Sequence, residues 1–288
     1  VGHVAAVGAI AFGGRGSFIV SGSKDKTIKQ WDLQALKKPV CANACKSGSR
    51  CTGSASSGGG SGGSTLAEVQ PRAVATAVAH KKDINALAVS PNDRMVVSGS
   101  QDRLLKVWRL EDTRMTEAAS LSGHRRGVWS VAFSPIEKVA ASGSGDMTVK
   151  VWSMADWNCL RTFEGHESSV LKVRFVCRGT MLASSSSDGL IKVWTIKSGE
   201  CASTLDGHSD KVWALDMLES DSGIELLSGS ADSTMVRWRD STAAAEASRA
   251  VEEEQRLQQE EQLSIAMSSR QLDKALEAAL QLRQPRAL

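Results

Sequence analysis

The chain has no tyrosine at all, and only five prolines and five phenylalanines in 288 residues. So few aromatic side chains leave no base-stacking motif of the kind that reads single-stranded RNA. No apolar run approaches the roughly 18 residues of a membrane-crossing helix, and no charged–apolar–small segment of secretory type is present, so neither a membrane partner nor export is expected. A Gly-x-x-x-x-Gly-Lys-Ser/Thr phosphate loop is missing too, and no small-molecule substrate is expected. Of the six cysteines, Cys41, Cys45 and Cys51 sit in a low-complexity stretch without a histidine nearby, and Cys159, Cys177 and Cys201 are scattered. Free thiols are expected from this arrangement, with no metal, cofactor or disulfide framework.

Histidine is scarce as well, and its five copies are all used in one pattern. Take Trp31, Trp108, Trp152, Trp194 and Trp238. Six residues ahead of each stands an aspartate: Asp25, Asp102, Asp146, Asp188 and Asp232. Ten ahead stands a serine: Ser21, Ser98, Ser142, Ser184 and Ser228. His3, His80, His124 and His166 precede their tryptophans by 28 residues, and His208 by 30. Successive histidines are 77, 44, 42 and 42 residues apart. The last three intervals have the period of four-stranded propeller blades, and the first contains one insertion.

The third copy shows why such a repeat forms strands. Gly127–Phe133 is short and apolar and ends at Ser134-Pro135. Val139–Ser142 is expected as a second strand, Gly143–Asp146 as a tight turn, and Thr148–Trp152 as a third strand rich in β-branched residues. In general the glycines are expected in Ser-Gly-Ser turns. Strands this short and apolar need cover on both faces, which stacked neighbours provide. The four recurring polar groups then satisfy one another: carboxylate to imidazole, imidazole to hydroxyl, hydroxyl to indole N–H. Serine, histidine and aspartate are also hydrolase residues, but a nucleophilic triad needs one exposed serine beside an oxyanion site. Five equivalent sets, each tied to a tryptophan, point to structure, so no catalytic residue and no enzyme is expected.

With repeat ends such as Gln30-Trp31-Asp32 and Lys150-Val151-Trp152, the chain resembles the WD40 family from Gly2 to about Asp240. That resemblance implies an all-β propeller over residues 1–240. Its five blades are expected to form part of a seven-bladed ring completed by upstream sequence, the alternative being a closed five-bladed ring. Residues of about 37–72, with Gly58-Gly59-Gly60-Ser61-Gly62-Gly63-Ser64, are expected to form a disordered surface loop, order resuming at Ala73. Residues 241–288 are expected to be helical, the start of a C-terminal domain with helices of about 243–266 and 269–283, the second presenting Leu272, Leu276 and Leu280.

Three tryptophans, Trp129, Trp157 and Trp213, fall outside the repeat set. Trp129 and Trp213 begin the innermost strands of the third and fifth copies, where Asn85 and Leu171 stand in the second and fourth. These four positions and the leucine stripe are the candidate partner-binding residues. Lys29, Lys106, Lys150 and Lys192 each precede a repeat tryptophan by two residues, and recurrence marks them as solvated strand residues rather than an RNA track. The stretches Cys159–His166, Ser198–His208 and Asp210–Leu215, with the Trp238-Arg239-Asp240-Ser241-Thr242 junction into a Glu/Gln-rich helix, further resemble the tandem-propeller subunits of the UtpB subcomplex of the small-subunit processome. What this implies is a nucleolar scaffold whose partners are other WD40 subunits of UtpB, the U3 snoRNP and pre-rRNA. Another WD40 adaptor, a substrate receptor or signalling scaffold, stays open on the fold alone.

Overall fold

The computed structural model describes residues 2–33, 73–111, 114–220, 223–240, 253–254, 256–258 and 261. The insertion at about 37–72 and the stripe Leu272, Leu276 and Leu280 lie outside the described residues. The chain divides into two compact units, residues 1–219 with 226–237, and residues 220–225 with 238–288.

Among the described residues the strands form five antiparallel meanders, the blades of an all-β propeller. The first contains β1 (Val7–Phe12), β2 (Phe18–Ser23), β3 (Thr27–Asp32) and β4 (Ala73–Val78). The second contains β5 (Ile84–Val89), β6 (Met95–Ser100), β7 (Leu105–Leu110) and β8 (Met115–Leu121). The third contains β9 (Val128–Phe133), β10 (Val139–Ser144), β11 (Val149–Ser153) and β12 (Cys159–Phe163). The fourth contains β13 (Val170–Val176), β14 (Met181–Ser186), β15 (Ile191–Thr195) and β16 (Cys201–Leu205). The fifth has three strands among the described residues, β17 (Val212–Ser220), β18 (Gly223–Ser230) and β19 (Met235–Arg239). Each sheet keeps its strands in chain order, even in the first, where the insertion separates β3 from β4. First strands of successive blades lie against one another, β1 on β5, β5 on β9 and β9 on β13.

The core is layered between blades. One apolar cluster joins blades one and two around Val20, Ile28, Ile84, Val96 and Trp108. A second joins blades two and three around Val107, Leu121, Val128 and Trp152. A third joins blades three and four around Val151, Phe163, Val170, Leu182 and Trp194. The indoles of Trp108, Trp152 and Trp194 thus pack toward the preceding blade, with the Phe163 and Trp194 ring centroids 5.5 Å apart. Fully burying one such side chain contributes about 1.5–3 kcal/mol, so the faces that meet between blades carry most of the stability.

The Ser-Gly-Ser triplets are not turns, contrary to the sequence expectation. Ser142, Gly143 and Ser144 are the last three residues of β10, and the equivalent triplets close β2 and β6. Their glycines allow close approach between blades. A Cβ on Gly143 would lie 2.7 Å from Val170 Cγ1, and one on Gly99 2.7 Å from Val128 Cγ1. Blade four replaces the glycine with Ser185, whose hydroxyl donates to the Val212 carbonyl at 3.0 Å.

In the second unit, the Arg239 guanidinium donates to Glu225 Oε1 at 2.9 and 3.1 Å, and the Asp240 amide donates to the Ile224 carbonyl at 3.3 Å. Residues 253–254, 256–258 and 261 are helical, with Leu257 exposed.

Gly143→Ala should overpack the contact with β13 and lower stability by about 1–3 kcal/mol. Urea denaturation checks this, and an unmoved midpoint would show that the blades can separate to admit a methyl group.

Candidate functional site

Each repeat draws its polar set from four places: the loop ahead of the first strand, the second strand, the turn after it, and the third strand. In the third blade His124 Nδ1 lies 2.9 Å from Asp146 Oδ2, and its Nε2 lies 2.7 Å from Ser142 Oγ. The Trp152 indole donates to that same Oγ at 2.8 Å. With the Nδ1 proton held by the aspartate, Nε2 is left to accept from the serine hydroxyl. The first blade repeats this with His3 to Asp25 at 2.9 Å, His3 to Ser21 at 2.7 Å and Trp31 to Ser21 at 2.7 Å. In the second, His80 to Asp102 is 3.0 Å, His80 to Ser98 is 2.8 Å and Trp108 to Ser98 is 3.0 Å. In the fifth, His208 lies 3.0 Å from Asp232 and 2.7 Å from Ser228, while Trp238 belongs to the other compact unit.

The aspartates do more than hold imidazoles. Asp146 Oδ2 also accepts the Arg125 amide at 2.8 Å, and Oδ1 accepts the Thr148 amide at 3.1 Å and the Thr148 hydroxyl at 2.7 Å. Thr27 and Thr234 donate in the same way, a contact signalled in the sequence by threonine two residues after aspartate. Burial pushes the Asp146 carboxyl upward, but hydrogen bonds from His124, Thr148 and the Arg125 amide outweigh it and hold the group well below the usual carboxylate range. Asp25 is depressed for the same reasons, burial being outweighed by Thr27, the Val4 amide and His3. Asp232 is lowered first by the Thr234 hydroxyl. Burial lowers His80, against the opposing pull of Asp102.

Blade four departs from this pattern. His166 Nε2 meets Ser184 at 2.7 Å and Trp194 donates to Ser184 at 2.8 Å, but His166 Nδ1 and Asp188 Oδ2 are 3.9 Å apart. Both atoms are buried and neither has a hydrogen-bond partner. The turn residue after this aspartate is Gly189, at φ +90°, where a Cβ would stand 2.4 Å from the His208 carbonyl oxygen. The other four turns carry side chains here: Lys26, Arg103, Met147 and Ser233, all at positive φ. Gly189 therefore lets this turn press against the next blade's histidine loop, and the aspartate sits back from its own histidine. Burial lowers the His166 pKa to about 4, against the pull of Asp188 and with Lys192 adding to the fall.

The structure separates the four candidate interface positions. Trp129 is 36% exposed and Trp213 52% exposed, whereas Leu171 is buried at 7%. Asn85 is half-buried and donates to the Val128 carbonyl at 3.3 Å. The lysine row runs along the third strands with partners on the fourth. Lys29, Lys150 and Lys192 donate to Thr76, Thr162 and Thr204 at 3.3, 2.8 and 3.1 Å, and Lys106 pairs with Glu117 at 2.7 Å. Free thiols are found at Cys159, Cys177 and Cys201, and among the described residues no group of three His, Cys, Asp or Glu side chains could hold a metal ion.

The family model for the WD domain, G-beta repeat, matches residues 1–32, 72–109, 115–153, 157–195 and 199–239. The chain is 40% identical over 117 residues to mouse Transducin beta-like protein 3, covering 40% of this chain and 12% of that protein. It is 39% identical over 115 residues to the human protein of the same name, again 40% of this chain and 12% of the relative. Yeast U3 small nucleolar RNA-associated protein 13 is 35% identical over 119 residues, 39% of this chain and 11% of that protein. The matched stretch thus spans about an eighth of these relatives.

Asp146→Ala should leave His124 Nδ1 without its acceptor and cost about 1–3 kcal/mol, whereas Asp188→Ala should cost less, because its imidazole contact is already open. Thermal unfolding of the two variants side by side checks the order.

The unfolded chain protonates a histidine near pH 6.5, but native His166 does so only near pH 4. Its contribution is therefore complete above pH 6.5 and lost as pH falls toward 4, amounting to about 3 kcal/mol. Urea midpoints measured between pH 7 and 4.5 should fall, and His166→Gln should fall less steeply than the parent. Equal slopes would remove His166 as a source of the acid sensitivity.

Proposed function

The chain belongs to the WD40-repeat family, and on that footing we propose that it is a non-enzymatic scaffold subunit of ribosome biogenesis. In this reading it helps assemble the U3 snoRNP and the small-subunit processome on pre-rRNA in the nucleolus, alongside other WD40 subunits of the UtpB complex. The observation that carries the reading is the similarity to Transducin beta-like protein 3 and to yeast U3 small nucleolar RNA-associated protein 13. The non-enzymatic part is supported by the serines. Ser98, Ser142 and Ser184 are fully buried, Ser228 is 1% exposed and Ser21 5%. In four blades the hydroxyl oxygen already lies between an imidazole and an indole N–H, so it has no opening to a substrate. The same geometry supports a purely structural role for the five sets.

Trp213 and Trp129 are the aromatic anchors of this scaffold, since an exposed indole on a rigid strand gives large contact area at little entropic cost. In the same reading, the stretch after Asp240 docks a sister subunit through Leu272, Leu276 and Leu280.

Affinity purification of the full-length protein tests the reading. Other WD40 subunits, U3 snoRNA and pre-rRNA are expected in the eluate, and recovery of ubiquitin-ligase or signalling partners without U3 snoRNA would overturn it. Leu272→Asp with Leu276→Asp should release the sister subunit while the propeller's melting stays unchanged. Trp213→Ala should weaken partner recovery with little effect on melting, and unfolding instead would assign this indole to packing.

A further inference from the structure

We propose that the cleft between the second and third blades binds the sugar-phosphate backbone of single-stranded RNA. This deepens the ribosome-biogenesis reading by assigning direct RNA contact, and it rests on that reading for the identity of the anion. The cleft holds about 750 Å³ and is walled by the loops that follow His80 and His124 and by the turn after Asp102. Five cationic side chains line it: Lys81, Lys82, Arg103, Arg125 and Arg126. All five are exposed, and among the described residues none forms a salt bridge. The lining contains one carboxylate, Asp102, which is already occupied. Its Oδ2 takes His80 Nδ1 at 3.0 Å and the Lys81 amide at 3.1 Å, and its Oδ1 takes the Leu104 amide at 3.1 Å.

Repeat symmetry does not account for this charge. The two residues after each histidine and the one after each aspartate occupy equivalent places in every blade. In blades two and three these places hold all five cations, whereas in blades four and five they hold Glu167 and Asp210 and no cation. The polar sets of blades two and three do not call on these side chains, because Asp102 and Asp146 take the backbone amides of Lys81 and Arg125. Unpaired like charges gathered in one cleft repel one another until an anion arrives.

An RNA backbone fits better than an acidic protein segment. A protein interface needs apolar anchors seated in sockets, and Leu104 is the single large apolar side chain in this lining. Phosphates need only ammonium and guanidinium donors, which arginine presents as a planar fork. One aromatic face stands at the edge. Trp129 Nε1 lies 3.2 Å, and Arg126 Cβ 3.5 Å, from the point a Cβ on Gly145 would occupy, so the indole borders the basic wall. An exposed indole there offers a stacking platform for one base.

The test measures binding of the intact chain to a fluorescently labelled single-stranded RNA of mixed sequence, across a salt series. Affinity should fall with salt by about 0.7 log units per log unit for each phosphate neutralised. Arg125→Glu with Arg126→Glu should weaken binding by about tenfold or more and flatten that slope. Trp129→Ala should weaken it by about fivefold or more, with the slope kept. Lys29→Glu with Lys192→Glu, the same charge change on the outer strands, should leave affinity within about twofold if the cleft is the site. Equal losses from the two charge reversals would overturn the inference, as would a poly-glutamate peptide that competes as well as RNA.

The same variants in cells separate this inference from the reading beneath it. If the full-length parent recovers U3 snoRNA and pre-rRNA, but the cleft reversal leaves ultraviolet cross-linking to RNA unchanged, the cleft fails and the scaffold reading stands. If the purified chain binds RNA through the cleft, but the parent recovers neither RNA from cells, the scaffold reading fails and the cleft stands.

Discussion

The constraint on which the rest depends is the burial of a serine hydroxyl in the second strand of each blade. A sheet four strands wide and covered on both faces has little room for polar atoms. A hydroxyl left unsatisfied there would cost about 1–3 kcal/mol. Ser142 avoids that cost by standing between His124 Nε2 and Trp152 Nε1. Each partner is then fixed in turn, the histidine by Asp146 and the aspartate by the Arg125 amide and Thr148. The chain of bonds runs from the turn after the second strand to the third strand, and so sets the register and spacing of the whole sheet. Because the indole also belongs to the apolar layer against the preceding blade, the same residues couple order within a blade to packing between blades.

Much of this was legible in the sequence, because the chemistry tolerates few substitutes. A neutral imidazole carries a donor for the carboxylate and an acceptor for the hydroxyl on one rigid ring, and tryptophan adds an N–H donor to a large apolar face. Their fixed offsets could therefore be read without coordinates. The triplet Ser142-Gly143-Ser144 was misread as a turn for an equally physical reason. Glycine is permissive of turns, and nothing local distinguishes that use from its other one, the admission of a neighbouring backbone or side chain. Here the neighbour is Val170, 27 residues away in the chain, so the signal for this use was not local. The open contact between His166 and Asp188 was hidden likewise, since its cause is the approach of Gly189 to the His208 carbonyl of the next blade.

Position in the repeat also did not settle exposure. Trp129 and Leu171 start equivalent strands, yet one indole is 36% exposed and the leucine is buried. What differs is how each side chain meets the adjacent blade, which a repeat alignment does not contain. The lysines that recur ahead of each tryptophan were conspicuous because they recur. They proved to be cross-strand partners of Thr76, Glu117, Thr162 and Thr204. The clustered cations at Lys81, Lys82, Arg103, Arg125 and Arg126 were not legible in that way, because they break the repeat instead of obeying it.

That contrast separates what the fold needs from what it leaves free. The polar sets secure each loop by its backbone and by the side chains of four residue types, and they make no demand on the residues between. Val4, Lys81, Arg125 and Ser209 all follow a histidine and all donate an amide to the aspartate, at 3.0, 3.1, 2.8 and 3.1 Å. Yet their side chains are apolar, basic, basic and neutral. A position whose backbone is fixed and whose side chain is unconstrained can change its charge at little cost to stability. Variation can accumulate there blade by blade until one sector of the surface differs from the next. The basic character of blades two and three against the acidic residues of blades four and five is such a difference, drawn on loops that the same four residue types hold in place. In this chain the repeated residues account for the fold, and the departures from the repeat are where recognition of a partner can be written.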